Sequence, residues 1–304
     1  MAEPVGSWVA IPTPFNEDES INFDVFERLV AFHAENGSSA LLVMGSCGEA
    51  TLLTGEERRK VIDVIVAFAR GKIPVYFGTT CPSTRETIAL TRYAEEKEAD
   101  GVVLTVPPYV TPPQEACLEH FVAVARSVSL PVAIYNNPTR VHIHLEPETI
   151  VRMNREAPNI RMDKEAMPDA SQISEVLWLS HGAVKVYCCD FPKYGLLAPT
   201  LGLGGSGVAG ITANVAPAEM AALSQPWHSG TDLESWRRDY FLMLPLMKAM
   251  YWYTNPVVVK AGLNLLGFRV GPVRRPLTNL GAPMVKKLDA ILTELGLKER
   301  YTRN

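Results

Sequence analysis

The chain has 304 residues, 29 Lys plus Arg against 33 Asp plus Glu, and a formal net charge of −4 at pH 7. That balance gives no global positive field for nucleic acid or an anionic membrane surface, and 47% apolar with 20% charged residues is a globular composition. No apolar run reaches the ~18–20 residues of a membrane helix, and the first fifteen residues lack the basic region and cleavage site of a secretory signal, so the expected setting is cytoplasmic.

Eight short apolar runs punctuate the first two thirds of the chain, at residues 8–11, 40–44, 74–78, 101–106, 131–135, 160–163, 183–187 and 207–212. Nearly continuous apolar runs of this length are expected of strands covered on both faces. Amphipathic segments lie between them. Residues 23–35 put Phe26, Leu29, Val30 and His33 on one side, and residues 54–70 do the same with Val61, Ile62, Ile65 and Phe68. Capping residues mark the helix starts: Asn22 or Asp24, Thr54 ahead of Glu56 and Glu57, and Ser83 ahead of Glu86. An even alternation of eight strands and helices predicts a (β/α)₈ TIM barrel rather than an open doubly wound sheet. After Pro217 the strand signals stop. Residues 218–297 read as about three helices, broken near Gly230, Asn255-Pro256, residues 267–276 and Gly281. The expected organisation is a barrel domain over residues 1–225 and a small helical domain over 226–304.

Five cysteines, with no C-x-x-C pair and no metal-ligand spacing, predict neither a disulfide framework nor a zinc site. The run 202–207 matches G-x-G-x-x-G but leads into a strand instead of opening a helix, so it is not a dinucleotide fingerprint. Around Ser46, Met44 stands where a nucleophile elbow needs glycine. No nicotinamide, flavin or metal cofactor is expected.

Functional groups of a barrel sit at the C-terminal ends of its strands. Those ends supply Gly45-Ser46-Cys47-Gly48-Glu49, Thr79-Thr80, Pro107-Pro108-Tyr109, Tyr135-Asn136-Asn137-Pro138-Thr139-Arg140 and Asp163-Lys164-Glu165-Ala166. The set has no histidine for a Ser-His-Asp arrangement and no carboxylate cluster for a metal. It does contain one lysine. A lysine closing an apolar strand is costly unless its amine is used, and a neutral amine is the nucleophile of Schiff-base chemistry on ketones. A surface lysine, or a buried ion pair of Lys164 with Asp163 or Glu165, is the alternative, and Lys185, read as lying mid-strand, is the rival. Tyr135 ends the neighbouring strand, where a phenol can relay protons. Arg140 has the planar fork that suits a carboxylate, and the small Ser46 loop has the N–H and O–H groups to hold another.

Taken in order, the residues 10–15 (AIPTPF), Gly45-Ser46-Cys47-Gly48-Glu49, Tyr135-Asn136-Asn137-Pro138, Lys164-Glu165-Ala166 and 207–217 (GVAGITANVAP) resemble the dihydrodipicolinate synthase/N-acetylneuraminate lyase family of Schiff-base aldolases. The resemblance implies catalytic roles for Lys164, Tyr135 and Ser46, with Lys164 forming the imine of pyruvate or another 2-keto acid. It implies substrate-binding roles for Cys47, Arg140, Ala209 and Tyr109, and a homotetramer built as a dimer of dimers. Several positions depart from the family pattern. Val110 replaces a second tyrosine of synthase members, Cys47 a second loop hydroxyl, and Val141-His142-Ile143-His144 a small-residue loop; Gly55 and Pro82 stand where lysine-regulated members carry polar groups. Gly55 and Pro82 imply that feedback inhibition by lysine does not transfer; Val110 and the His142/His144 loop favour a retro-aldolase or dehydratase over the condensation of pyruvate with aspartate semialdehyde, and the Lys164–Tyr135 pair argues against a non-catalytic metabolite-binding member.

Overall fold

The computed structural model describes residues 3–303. Eight parallel strands close into a barrel in sequence order: β1 Gly6–Ala10, β2 Ala40–Val43, β3 Val75–Gly78, β4 Gly101–Thr105, β5 Val132–Asn136, β6 Ile160–Glu165, β7 Lys185–Cys188 and β8 Gly207–Gly210. β8 pairs back onto β1, with Trp8 opposite Ala209. The TIM barrel expected from the sequence is the fold. A ring of helices packs outside it, beginning with Phe23–Glu35 and Gly55–Ala69. Their starts follow from the local chemistry. Asn22 accepts from the Val25 N–H, and Thr54 and Glu57 form a reciprocal capping box, which satisfies the orphan donors of each first turn.

The floor of the barrel is aromatic. Trp8 sits edge-on to Tyr76 at 4.9 Å and to Tyr187 at 5.3 Å, all three fully buried. The Tyr187 hydroxyl donates to the Pro4 carbonyl at 2.5 Å. A Cβ at Gly101 would lie 2.4 Å from the Tyr76 ring, so only glycine leaves room for that plug. With the lower half filled, the free space lies at the C-terminal mouth.

Of the strand ends that differ from the sequence reading, two bear on the site. β6 continues past Asp163 through Lys164 and Glu165, because its two carboxyl groups are buried together behind the sheet instead of ending it. β7 begins at Lys185, whose residue is exposed at the opposite end of the barrel from the mouth. Lys185 is thus neither mid-strand nor a rival for the cavity. After β8 the described residues form five α-helices rather than about three, Pro217–Leu223, Leu233–Met250, Val257–Leu265, Ala282–Glu294 and Leu297–Tyr301. The breaks between them include residues 251–256, which run over the barrel mouth. No helix is long and apolar enough to cross a membrane among the described residues.

Candidate active site

Adjacent residues on a strand point to opposite faces, so β6 sends Lys164 into the barrel and Asp163 and Glu165 outward. Lys164 is only 4% exposed and has no carboxylate within 4 Å among the described residues, which removes the ion-pair alternative. Tyr135 lies opposite it in the β5–β6 register. The Lys164 Nζ sits over the Tyr135 ring, 4.4 Å from its centre. Asn137 donates from Nδ2 to the Tyr135 hydroxyl at 2.5 Å, and Thr139 fixes Asn137 by donating to its Oδ1 at 2.6 Å. The phenol oxygen thereby accepts one bond, and its own proton has no acceptor among the described residues. That cavity is about 400 Å³ and is lined by Lys164, Tyr135, Ser46, Arg140, Ala209 and Asn255, among others. A wider cleft of about 690 Å³ lies beside Lys260 and Arg269 and contains none of the expected site residues.

The loop after β2 is built as an anion nest. Met44 and Glu49 bracket it with φ of 56° and 54°, a region uncommon for residues with side chains. Among the described residues, the N–H groups of Ser46 and Cys47 have no internal acceptor, which leaves them free for a carboxylate. The loop is held from both sides. Thr13 donates to the Gly48 carbonyl at 2.7 Å, and Glu49 accepts from the Arg274 N–H at 2.8 Å. Glu49 also pairs with Lys260 at 2.7 Å, both side chains almost completely buried; burial pulls Lys260 down to about 8 against the pull of Glu49. Through that pair the helix Val257–Leu265 anchors the loop.

Arg140 projects from the short helix Pro138–Val141 at the mouth and donates to Asn255 Oδ1. Asn255 in turn donates from Nδ2 to Ser46 Oγ at 3.1 Å. The facing wall is aromatic: Phe191 stacks on Tyr251 at 4.4 Å and meets Tyr194 at 4.7 Å. Asp190 stands behind that wall, bonded to Tyr251, and it is already occupied. It accepts from the Ile211 and Thr212 N–H groups and from the Tyr251 hydroxyl. A Cβ at Gly210 would meet its carboxyl at 2.4 Å, so the glycine makes that contact possible. The lining therefore offers two cationic side chains, Lys164 and Arg140, and no acidic one.

Behind β6, Asp163 and Glu165 are both fully buried. Glu165 accepts from the Met167 N–H at 2.5 Å and from Asn136 Nδ2 at 3.0 Å. Asp163 finds no hydrogen-bond partner among the described residues, and a desolvated carboxyl with none holds on to its proton. Burial, reinforced by the neighbouring Glu165, raises Asp163 well above the ordinary range, and burial pushes Glu165 up to about 7. The folded state keeps a proton that the unfolded chain releases above about pH 4, so this pair's contribution to stability declines as pH rises from about 4 toward 7. Asp163→Asn should shrink that decline. Between pH 5 and pH 8 the wild-type melting temperature should fall by ~3 °C or more beyond that of the variant; equal falls in both would contradict a proton retained on Asp163.

The structure brings Lys164, Tyr135, Ser46, Arg140 and Ala209 to one cavity. It does not bring in the other two. The Cys47 side chain is fully buried behind the loop, where burial pushes its thiol up, and only its backbone N–H faces anion duty. Tyr109 is 96% exposed on the loop after β4 and is not part of the cavity wall of the single chain. Sequence reasoning missed Asn137, Asn255 and Tyr251. Asn137 lay inside a strand-end motif and was readable; Asn255 and Tyr251 come from a helical region with no local signature.

The model of the dihydrodipicolinate synthetase family matches residues 3–295. The chain belongs to that family. It is an enzyme of the lyase type that the family comprises. A 4-hydroxy-tetrahydrodipicolinate synthase of Methanocaldococcus jannaschii is 37% identical over 96% of this chain and 99% of its own length. The crystal structure of dihydrodipicolinate synthase from Aquifex aeolicus, 34% identical, superposes with a TM-score of 0.92 over 99% of this chain and all of its own. A pyruvate-complexed family synthase from Acinetobacter baumannii is 33% identical, with a TM-score of 0.90 over 97% of this chain and 100% of its own. Among these synthases the family assignment rests on the whole barrel, helices included, and not on a shared motif alone.

Proposed function

We propose that this family member binds pyruvate or a related 2-keto acid as an imine on Lys164 and makes or breaks a bond to an acidic partner held by Arg140. The observation that carries this is the Lys164 amine, buried and without a carboxylate within 4 Å among the described residues, over the Tyr135 ring at the wall of the cavity. Lys164 Nζ attacks the keto carbon; Tyr135 protonates the departing oxygen of the carbinolamine and takes protons back from the reacting centre. The Ser46 hydroxyl and the nest N–H groups of Ser46 and Cys47 hold the keto-acid carboxylate. Ala209 shapes the pocket for its small methyl or methylene group. A partner with a carboxylate finds the free N–H groups of Arg140 at the mouth.

The lack of an acidic lining side chain, with Asp190 already occupied, favours a partner without a cationic amine, hence retro-aldol cleavage or dehydration of a 2-keto acid. Condensation with aspartate semialdehyde is the second reading, supported by the names of the relatives. Pairs of acceptor aldehydes differing only by carboxylate or carboxamide test the common part: the acid should be preferred at least about tenfold in kcat/KM, as expected for a charge-assisted bond. No preference would remove Arg140 from its role. A kcat/KM of ~10⁴ M⁻¹s⁻¹ or more with aspartate semialdehyde, an ordinary enzyme value, would decide for the second reading.

Assembly as a homotetramer is part of the same proposal. Tyr109 and Val110 form an exposed apolar pair, supporting cover by a second copy that would bring Tyr109 to a substrate; sedimentation of the wild type against Tyr109→Ser tests it. A cytoplasmic setting is supported by five free cysteines.

A further inference from the structure

The geometry points to Asn255 as the residue that sets the direction of the Ser46 hydroxyl, turning it into a hydrogen-bond donor for the keto-acid carboxylate. The inference rests on the imine reading of the site and adds a positioning residue from outside the barrel. A carboxamide can be placed either way round, and its orientation is decided by its neighbours. Arg140 is the deciding neighbour. A guanidinium has only donors, and it bonds to Asn255, so Oδ1 must face Arg140 and Nδ2 must face Ser46. Nδ2 occupies an acceptor site on Ser46 Oγ at 3.1 Å. The hydroxyl proton, excluded from that direction, is left for the cavity, where the carboxylate also meets the free N–H groups of Ser46 and Cys47. A chain that runs Arg140 to Asn255 to Ser46 thus delivers one uniform polarity to the nest, every group facing the substrate being a donor.

The same chain couples the two ends of the site. Arg140, assigned above to the partner substrate, also governs how well the nest holds the keto acid. The residue that connects them, Asn255, comes from the segment between the helices Leu233–Met250 and Val257–Leu265, and the second of these is pinned to the nest through Lys260 and Glu49.

Isosteric replacement separates this role from a packing role. In Asn255→Asp both oxygens accept, so the side chain still bonds to Arg140 but now takes the Ser46 proton for itself. Asn255→Ala merely leaves Ser46 free to turn. The probe is pyruvate with borohydride, the half-saturating pyruvate concentration being read from reduced adduct by intact mass. Asn255→Ala should raise it about tenfold and Asn255→Asp about a hundredfold, the loss of a bond to a charged group and of its donor polarity, with the adduct formed at saturating pyruvate changed far less. Arg140→Ala should raise it by about threefold or more, although pyruvate itself has no second carboxylate. In a Ser46→Ala background the difference between Asn255→Asp and Asn255→Ala should vanish, since no hydroxyl remains to be turned.

An Asn255→Asp protein that captures pyruvate as well as Asn255→Ala would overturn the inference. So would a difference that persists in the Ser46→Ala background, which would mean charge repulsion only. Should Asn255→Asp fail to fold, the Arg140→Ala measurement stands by itself, and an unchanged half-saturation there is equally contrary. If wild-type protein forms no adduct with pyruvate, the imine reading falls and this inference falls with it.

Discussion

Lys164→Ala should reduce turnover to background, a loss of at least about 10⁴-fold given the 10⁶-fold or larger accelerations that enzymes deliver. No other lysine lines the cavity: Lys260 is spent on Glu49 and the Pro272 carbonyl, and Lys185 is at the far end of β7. The alanine leaves space where an amine stood, and the strand around it is held by its pairing with β5 and β7, so the barrel should still close. Steady-state assays of the purified variant with its best 2-keto acid, beside its melting curve, separate loss of chemistry from loss of fold. A variant keeping a tenth of wild-type turnover would show that Lys164 is not the nucleophile.

Tyr135→Phe should cost ~10²–10⁴-fold in kcat, the usual worth of a general acid–base group, with a small change in melting temperature. Only the hydroxyl is removed, and the ring that faces the Lys164 amine remains. The released partner is Asn137, which keeps its bond from Thr139 and is near enough to the cavity to find water. A second signature follows from the proton role: imine trapping at saturating pyruvate should be slowed and not abolished, because attack by the amine does not need the phenol while loss of water does. A loss below about threefold would reduce Tyr135 to a packing residue.

The barrel was legible because each of its strands is a short, covered apolar run between capped helices, and that pattern has few folded solutions. The placement of Lys164 and Tyr135 was legible for the same reason, both falling at strand ends on neighbouring strands. Where β6 ends was not. Asp163, Lys164 and Glu165 look like the start of a loop, and only the burial of both carboxyls, with Asn136 and Met167 as partners of Glu165, keeps them in the sheet. Asn255 was invisible from another cause. It reaches Ser46 across 209 positions of chain, and its own surroundings, a turn before Pro256, carry the signal of a helix break and nothing of a binding site. The aromatic wall of Phe191, Tyr194 and Tyr251 is assembled from two distant segments and leaves no periodic trace either. Strand ends are local facts, whereas the side of the cavity that selects the partner substrate is made by tertiary contact.

The central claim is that Lys164 forms an imine with a 2-keto acid, and borohydride reduction in the presence of pyruvate tests it most directly. Intact mass should show one reduced pyruvate adduct per chain, peptide mapping should put it on Lys164, and Lys164→Ala should show none. An adduct on Lys185 or on another lysine, or no adduct at saturating pyruvate and at other small 2-keto acids, would contradict the account.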